Sequence, residues 1–309
     1  MKTLSLDACP SCGGAGSKSC GTTSHPLRRC TDCGLVYAAE YLDPDLVYVD
    51  GYMTGGCEFG PPDVLDPLFR RYLEFAAHAR MAKIEKVLGR PGSILDIGCG
   101  TGDLLAVAAG RGWTVTGVEL VAESVALATE RGLDVRCVRL EESGLPERSF
   151  DLVSAFHVVE HMPNAAEFVA LLSRWARPGG HVLFEVPNWN SLARRADGDR
   201  WNSWRPLEHL AHYTPKTLRR TIERGGAELV HVSTTGFLWE EQTMGEALAD
   251  LGMQRALPIF KRLARRGQRE GQEVLAPTAT GWKVLRTLEA ASGRAGLGAV
   301  VQAIARVRA

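Results

Sequence analysis

Apolar and polar positions alternate along this chain with two distinct periods. Between Asp66 and Leu88, the apolar residues Leu68, Phe69, Tyr72, Leu73, Ala76, Met81, Ile84 and Leu88 recur at helical spacing, and Gly89–Ser93 breaks the run. Short apolar runs then alternate with helical patterns. Strands are predicted at 93–98 (SILDIG), 114–119 (TVTGVE), 134–140 (DVRCVRL), 150–157 (FDLVSAFH), 180–188 (GHVLFEVPN) and 227–237. Helices are predicted at 103–111, 121–131, 164–176 and 214–224. Strands separated by single helices imply an α/β fold, with a mostly parallel sheet flanked by helices. Residues 240–295 return to a helical pattern with breaks at Pro258, Gly267, Gly271 and Pro277, and 298–308 reads as a helix end or a last strand. The basic run 261–270 (KRLARRGQRE) reads as a solvated helix face.

The first forty residues lack either period and are rich in Gly and Cys, and 41–62 is studded with Gly and Pro. This divides the chain into a cysteine-bearing unit at 1–40, a connector with a helix at 41–92, an α/β core at 93–239, and a helical insertion with a last core strand at 240–309. Cys9 and Cys12 form one CxxC pair and Cys30 and Cys33 another, seventeen residues apart. That spacing suits a zinc ribbon, with Gly13 and Gly34 at the two tight knuckles. Four thiolates leave no open coordination position, so the Zn2+ would be structural. Cys20 and His25 are spare ligands within the loop. A unit this small has too little core to fold without such a staple.

The sharpest local signal is ILDIGCGTGDLL at 94–105. A strand ends with Asp96, then Gly98, Gly100 and Gly102 lead into a helix, with Cys99 between. Glycines here allow a tight turn and a close ligand approach. A dinucleotide fingerprint would want an anion-friendly sixth position, and Asp103 stands there instead. The pattern DxGxGxG resembles the first motif of class I SAM-dependent methyltransferases. The resemblance implies a Rossmann-like core with S-adenosyl-L-methionine as cofactor. Glu119 closes the next strand, nineteen positions after Gly100, and would take the ribose hydroxyls. Leu120 follows it, and Glu141 after the third strand would meet the adenine. The stretches 145–164, 176–188 and 208–229 resemble later parts of the same family. The ribbon followed by CGLVYAAEYLDPDLVYVDGYM also resembles the start of bacterial methyltransferases acting on sugars and other natural products.

Methyl transfer requires alignment of the acceptor, exclusion of water and often removal of a proton. His157 follows the fourth strand, where it would line the cofactor pocket or act on substrate. His209 and His212, in a Trp-rich stretch after the fifth strand, are the other catalytic candidates, with Tyr213 behind them. Glu160 and His161 read as folding residues. Trp189, Trp201 and Trp204 would form an apolar wall, and Tyr48 and Tyr52 would fold over the cofactor or pack the connector.

Composition narrows the partners. Formal net charge is zero and 45% of residues are hydrophobic. The basic surplus typical of a chain that tracks a phosphate backbone is missing. No apolar run reaches the ~18 residues of a membrane span and no signal peptide is evident, so a cytoplasmic protein is expected. The reading is a small-molecule methyltransferase acting on O, N or C of a secondary metabolite or sugar-like acceptor, with no nucleic-acid or membrane partner. Region 240–295 would then serve as a lid, a substrate wall or a homodimer contact. Two alternatives stand beside it. One is an RNA- or protein-directed methyltransferase whose ribbon grips its target through Lys18, His25, Arg28 and Arg29. The other is a SAM-binding protein without transfer activity.

Overall fold

The computed structural model describes residues 3–21, 26–57, 60–201, 203–205, 207–236, 238, 242, 244–269 and 272–308. His25, Phe237, Glu270 and Gly271 lie outside the described residues.

The chain starts with short strands. β1 (Thr3–Ser5) pairs with β5 (Glu40–Leu42), while β2 (Ser17–Gly21), β3 (Pro26–Cys30) and β4 (Val36–Ala38) form an antiparallel sheet. The short helix α1 (Pro44–Val47) follows, capped by the Asp43 carboxylate on the Asp45 amide. The long helix α2 (Pro67–Leu88) is bounded by local chemistry. Asp66 accepts from the Phe69 amide at 2.8 Å, Pro67 opens the first turn, and Gly89 ends the helix at φ 78°.

The α/β core then unfolds in sequence: β6 (Ser93–Ile97), α3 (Asp103–Ala109), β7 (Thr114–Glu119), α4 (Ala122–Glu130), β8 (Val135–Cys137), β9 (Phe150–Phe156), α5 (Ala165–Trp175) and β10 (Ala176–Pro187). After it come α6 (Leu192–Asp197), β11 (Ala211–His212), α7 (Pro215–Arg224) and β12 (Glu228–Thr235). The chain closes with α8 (Met244–Asp250), α9 (Leu257–Phe260), β13 (Ala264–Arg269), β14 (Gln272–Pro277), α10 (Ala279–Arg294) and β15 (Val300–Arg306). Among the described residues the main sheet has the order β12-β15-β10-β9-β6-β7-β8. It is parallel from β8 to β10, and β15 lies antiparallel between β10 and β12. The expected α/β architecture is therefore present, and 298–308 resolves as a strand. Paired on both edges and covered on both faces, VVQAIA is apolar almost throughout.

Successive strand residues point to opposite faces, so neighbours divide between two cores. Ile94, Leu152, Leu183 and Ile304 pack with α2 and α3, whereas Leu95, Val153, Phe184 and Ala303 pack with α5 and α7. The second core also contains Cys9, Cys30, Cys33, Leu35 and Tyr37 from the N-terminal unit, against Tyr213, Leu218 and Ile222. β4 extends its sheet through β11, pairing Tyr37 with Ala211 and Val36 with His212. Thr221 on α7 donates to the buried Ser11 hydroxyl or accepts from it at 2.8 Å.

The helical reading of 240–295 needs correction. β13 (Ala264–Arg269) and β14 (Gln272–Pro277) pair antiparallel, and the basic run lies partly on a strand, not on a helix face. Gly267 and Pro277 explain this: they disfavour a helix interior by about 1 and 3 kcal/mol, and Val274 favours a strand. Among the described residues, no helix is long and apolar enough to cross a membrane.

The Ser11–Thr221 contact yields a test of the seam between the N-terminal unit and α7. Thr221→Val keeps the volume but leaves the Ser11 hydroxyl buried without that partner. Chemical denaturation should show a loss of about 1–3 kcal/mol.

Candidate functional site

The turn after β6 takes a conformation that glycine permits and other residues resist. Gly98, Gly100 and Gly102 have φ of 68°, 53° and 75°. A Cβ at Gly98 would stand 2.7 Å from Val158 Cγ2, and one at Gly102 would stand 2.4 Å from Leu133 Cδ1. Cys99 turns its sulfur away from the turn, towards Gly117 and the α3 core. Its backbone alone remains at the turn.

Glu119 ends β7 beside this loop. Its Oε2 accepts from the Gly100 amide at 2.9 Å, and its Oε1 accepts from the Leu120 and Val121 amides at 2.7 and 3.0 Å. One carboxylate thus joins the ends of β6 and β7. Asp96 lies beneath, buried, with Oδ1 accepting from the Ser154 hydroxyl at 2.6 Å. Burial raises its pKa to about 7. Leu120 is exposed at the lip, and Glu141 is exposed on a single 3-10 turn at Leu140–Glu142 after β8.

The connector folds over the loop. Glu123, in the first turn of α4, accepts from the Gly51 amide at 2.8 Å and the Thr54 hydroxyl at 3.0 Å. Met53 Cε lies 3.3 Å from where a Gly100 Cβ would be. The rings of Tyr48 and Tyr52 meet edge-on at 5.2 Å, and burial raises both phenol pKa values.

His157 follows β9 at φ 57°. Its Nδ1 lies 3.2 Å from Glu160 Oε1 and its Nε2 3.2 Å from Glu185 Oε1. Burial works against the ring's charge, but the two carboxylates outweigh it and raise the pKa to about 9. At neutral pH the ring is an imidazolium, able to donate from both nitrogens. Glu185, fully buried on β10, also accepts from Arg80 on α2 and from Gln302 on β15. Arg80 stacks over Phe156 at 4.7 Å.

His209 and His212 are both buried. His209 packs edge-on against His161 at 4.7 Å, with its Nδ1 2.9 Å from the Ser203 carbonyl. His212 packs against both Trp189 and Trp204, at 4.8 and 5.6 Å, and those two rings lie 5.3 Å from each other. Burial lowers the pKa of His212 to about 3 and that of His209 well below its ordinary value. Trp201 completes an aromatic group around Trp189, and Arg194 lies over the Trp189 ring at 4.1 Å. Tyr213 is buried among the residues beside the cysteines.

The four cysteine sulfurs of the CxxC pairs lie within 4.8 Å of one another. Cys9 and Cys33 are 3.5 Å apart, as are Cys12 and Cys30. Gly13 and Gly34 adopt φ of 67° and 79° at the two knuckles, with their amides bonded to the Cys9 and Cys30 carbonyls. A tetrahedron of sulfurs around zinc has edges of about 3.8 Å. The donor set and its compactness fit that ion. The Cys9 thiol beside Cys33 holds the Cys33 pKa down at about 5.

Sequence reasoning missed Glu185, Arg80 and Glu123. A lone carboxylate inside the apolar run VLFEVP was a readable signal for a buried partner, and so was Arg80 on the apolar face of α2. Glu123 gave none, because its partners Gly51 and Thr54 are reached only through the fold.

The position of Asp96 generates a pH test. Its folded-state pKa is raised above the unfolded value of about 3.9, so the folded chain binds the proton more tightly. This stability is present below about pH 4 and is lost as pH rises towards 7. Asp96→Asn removes the titration. Between pH 5 and 8, wild type should lose on the order of 2–3 kcal/mol more than the variant in urea unfolding.

Comparison with known proteins bears on this geometry. Residues 69–232 match a family model described as a methyltransferase domain. The ubiquinone biosynthesis O-methyltransferase of Pseudomonas entomophila is 31% identical over 143 residues, covering 44% of this chain and 57% of that protein. Its namesake in Idiomarina loihiensis is 30% identical over 160 residues, covering 50% and 58%. The match thus spans a little over half the length of these relatives. A SAM-dependent methyltransferase of Thermotoga maritima shares the fold, with a TM-score of 0.50 and 15% identity over 79% of this chain and 97% of that one. The family model covers more than half of the residues, the sheet has the expected build, and the chain belongs to the class I SAM-dependent methyltransferases.

Proposed function

We propose that the chain is a SAM-dependent methyltransferase that modifies an oxygen of a small-molecule acceptor. The observation that carries the cofactor is Glu119, held by amides of both strand-end turns beside three left-handed glycines. A carboxylate so placed suits a pair of ribose hydroxyls. Asp96, Gly98, Gly100 and Gly102 shape the floor, Cys99 contributes backbone, and Leu120 and Glu141 border it. Met53 stands against the glycine loop, and with its neighbour Tyr52 would exclude water. When bound, SAM supplies a methyl group already activated on a sulfonium. The relatives' names support oxygen as the accepting atom. They do not extend to the sugar-like or secondary-metabolite acceptor that the ribbon suggested. His157 is the most open of the three candidate histidines, with 41% of its side chain exposed, and we assign its charged ring, held by Glu160 and Glu185, an electrostatic contact to the acceptor.

The division at residues 40, 92 and 239 remains our reading of the domains, with the four cysteines holding a structural Zn2+. The ribbon shares its core and its sheet with the catalytic unit.

Calorimetric titration tests the cofactor. SAM should bind saturably and NAD should give no heat. Glu119→Ala should weaken SAM binding about 10–100-fold, the worth of hydrogen bonds to a charged acceptor. Saturable NAD binding without SAM binding would sink the reading. Transfer of labelled methyl into a small-molecule extract, but not into RNA or protein, is the expected acceptor result.

Elemental analysis tests the zinc. One zinc per chain should bind, and Cys30→Ser should lose it and lower the melting temperature by several degrees, on the scale of a few kcal/mol. Full zinc content in Cys30→Ser would overturn the assignment.

A further inference from the structure

A second cluster of potential ligands lies away from the cysteines. Glu160, His161 and His209 each offer one ligand atom within 4.8 Å of the others. Glu160 is 1% exposed, and its Oε2 is buried with no hydrogen-bond partner. The two histidines are committed in the same way. His161 Nδ1 lies 2.9 Å from the Glu208 carbonyl oxygen, and His209 Nδ1 lies 2.9 Å from the Ser203 carbonyl oxygen. A carbonyl can only accept, so each Nδ1 carries the hydrogen. In the neutral ring each Nε2 then keeps its lone pair. Metal-binding histidines are oriented in this way, by a carbonyl or carboxylate on the far nitrogen.

A hydrogen-bonded packing cluster would satisfy Glu160 Oε2 with a ring N–H. Here both ring N–H groups face carbonyls instead, and the three residues still bring one ligand atom each to within 4.8 Å of the others. A buried carboxylate without a donor beside two rings whose N–H groups are used elsewhere suits a cation. We propose that Glu160, His161 and His209 form a binding site for a first-row divalent metal ion. Two imidazoles and one carboxylate leave coordination positions open, unlike the closed four-thiolate centre.

The cluster borders the cofactor loop. Val158, two residues before Glu160, touches the position of a Gly98 Cβ. Tyr48 bridges the rings of His161, at 6.2 Å, and Tyr52, at 5.2 Å. An ion here would act as a Lewis acid on an acceptor hydroxyl and lower its pKa. That role rests on the methyl-transfer reading; the ion site does not.

The test uses full-length protein brought to one zinc per chain. Mn2+ prefers oxygen and nitrogen to thiolate and so avoids the cysteines. Its binding is followed by loss of the aqueous Mn2+ electron paramagnetic resonance signal. Wild type should bind one Mn2+ saturably. Glu160→Gln and His209→Ala should each weaken binding at least tenfold while keeping their zinc. No saturable uptake by wild type, or wild-type affinity in both zinc-loaded variants, would overturn the site. A measurement without substitution guards against misfolding. Co2+ added to wild type should displace the Mn2+ and give weak visible bands, without intense sulfur-to-metal charge transfer. Displacement accompanied by charge-transfer bands would place the ion on the cysteines and overturn the proposal. SAM titration of the same sample separates the two readings, since SAM binding without Mn2+ uptake removes only the ion site. Mn2+ uptake without SAM binding supports the ion site and removes only the methyl-transfer reading.

Discussion

A carboxylate with no exposed surface sits inside a sheet that is apolar on both faces, and much of the molecule is arranged around it. Burial alone would drive Glu185 towards its neutral form, but Arg80 and His157 outweigh this and hold the carboxyl far below the ordinary range. A buried charge is tolerated only with its partners in place. Those partners come from separate parts of the chain: Arg80 from α2, His157 from the end of β9, and Gln302 from β15. Gln302 is also the cross-strand partner of Glu185 in the ladder. The register of the last strand, the docking of the long helix and the left-handed backbone at His157 therefore meet at one group. Hydrophobic burial places these elements roughly, since a sliding apolar contact loses little. The carboxylate specifies their position, since its hydrogen bonds lapse within an ångström.

A second constraint couples the cysteine unit to the segment that carries His209 and His212. Segment 207–213 lies between β4 and the end of β10. Ala38 donates to the Leu210 carbonyl at 2.8 Å, Leu42 to the Leu207 carbonyl at 3.0 Å, and Trp189 to the Tyr213 carbonyl at 2.7 Å. His209 and His212 ride on this segment. Their positions depend on β4, and β4 follows directly from the second cysteine knuckle. The N-terminal unit thus holds the segment that carries His209 and His212, and the cysteine cluster helps to place histidines that are distant from it in sequence.

Much of this was legible in the residues. The sheet strands β6, β7, β9 and β10 declared themselves by short apolar runs, and the glycine turn by Asp96, Gly98, Gly100 and Gly102 in one reading frame. The cysteine pairs did so by spacing. Local chemistry carries all of these. The β13–β14 pair was hidden because its alternation is weak: Arg265, Arg266 and Gln268 give no apolar stripe of either period. The burial of His209 and His212 was equally hidden, because the residues that cover them, Trp189, Trp204 and His161, are brought together only by the path of the loop. The role of Glu160 shows the limit most clearly. Its place in the motif suggested folding, and only the hydrogen bonds of its neighbours show an acceptor left without a donor.

The charges around the glycine loop also discriminate between cofactors. Glu119, Glu160 and Glu208 all act on the phenols of Tyr48 and Tyr52, so the field at these two rings is negative, with Arg205 a partial offset at Tyr52. A pyrophosphate entering beside Glu119 would meet repulsion that a partly buried setting amplifies. A sulfonium meets attraction from the same groups. The histidines divide along the same line. His157 lies between two carboxylates and keeps its proton, whereas His161, His209 and His212 are desolvated and stay neutral. A ring with a pKa near 3 is too weak a base to take a proton from a hydroxyl acceptor at neutral pH, and a ring already protonated takes none. The surroundings of His157 and His212 thus work against proton removal by either ring at neutral pH.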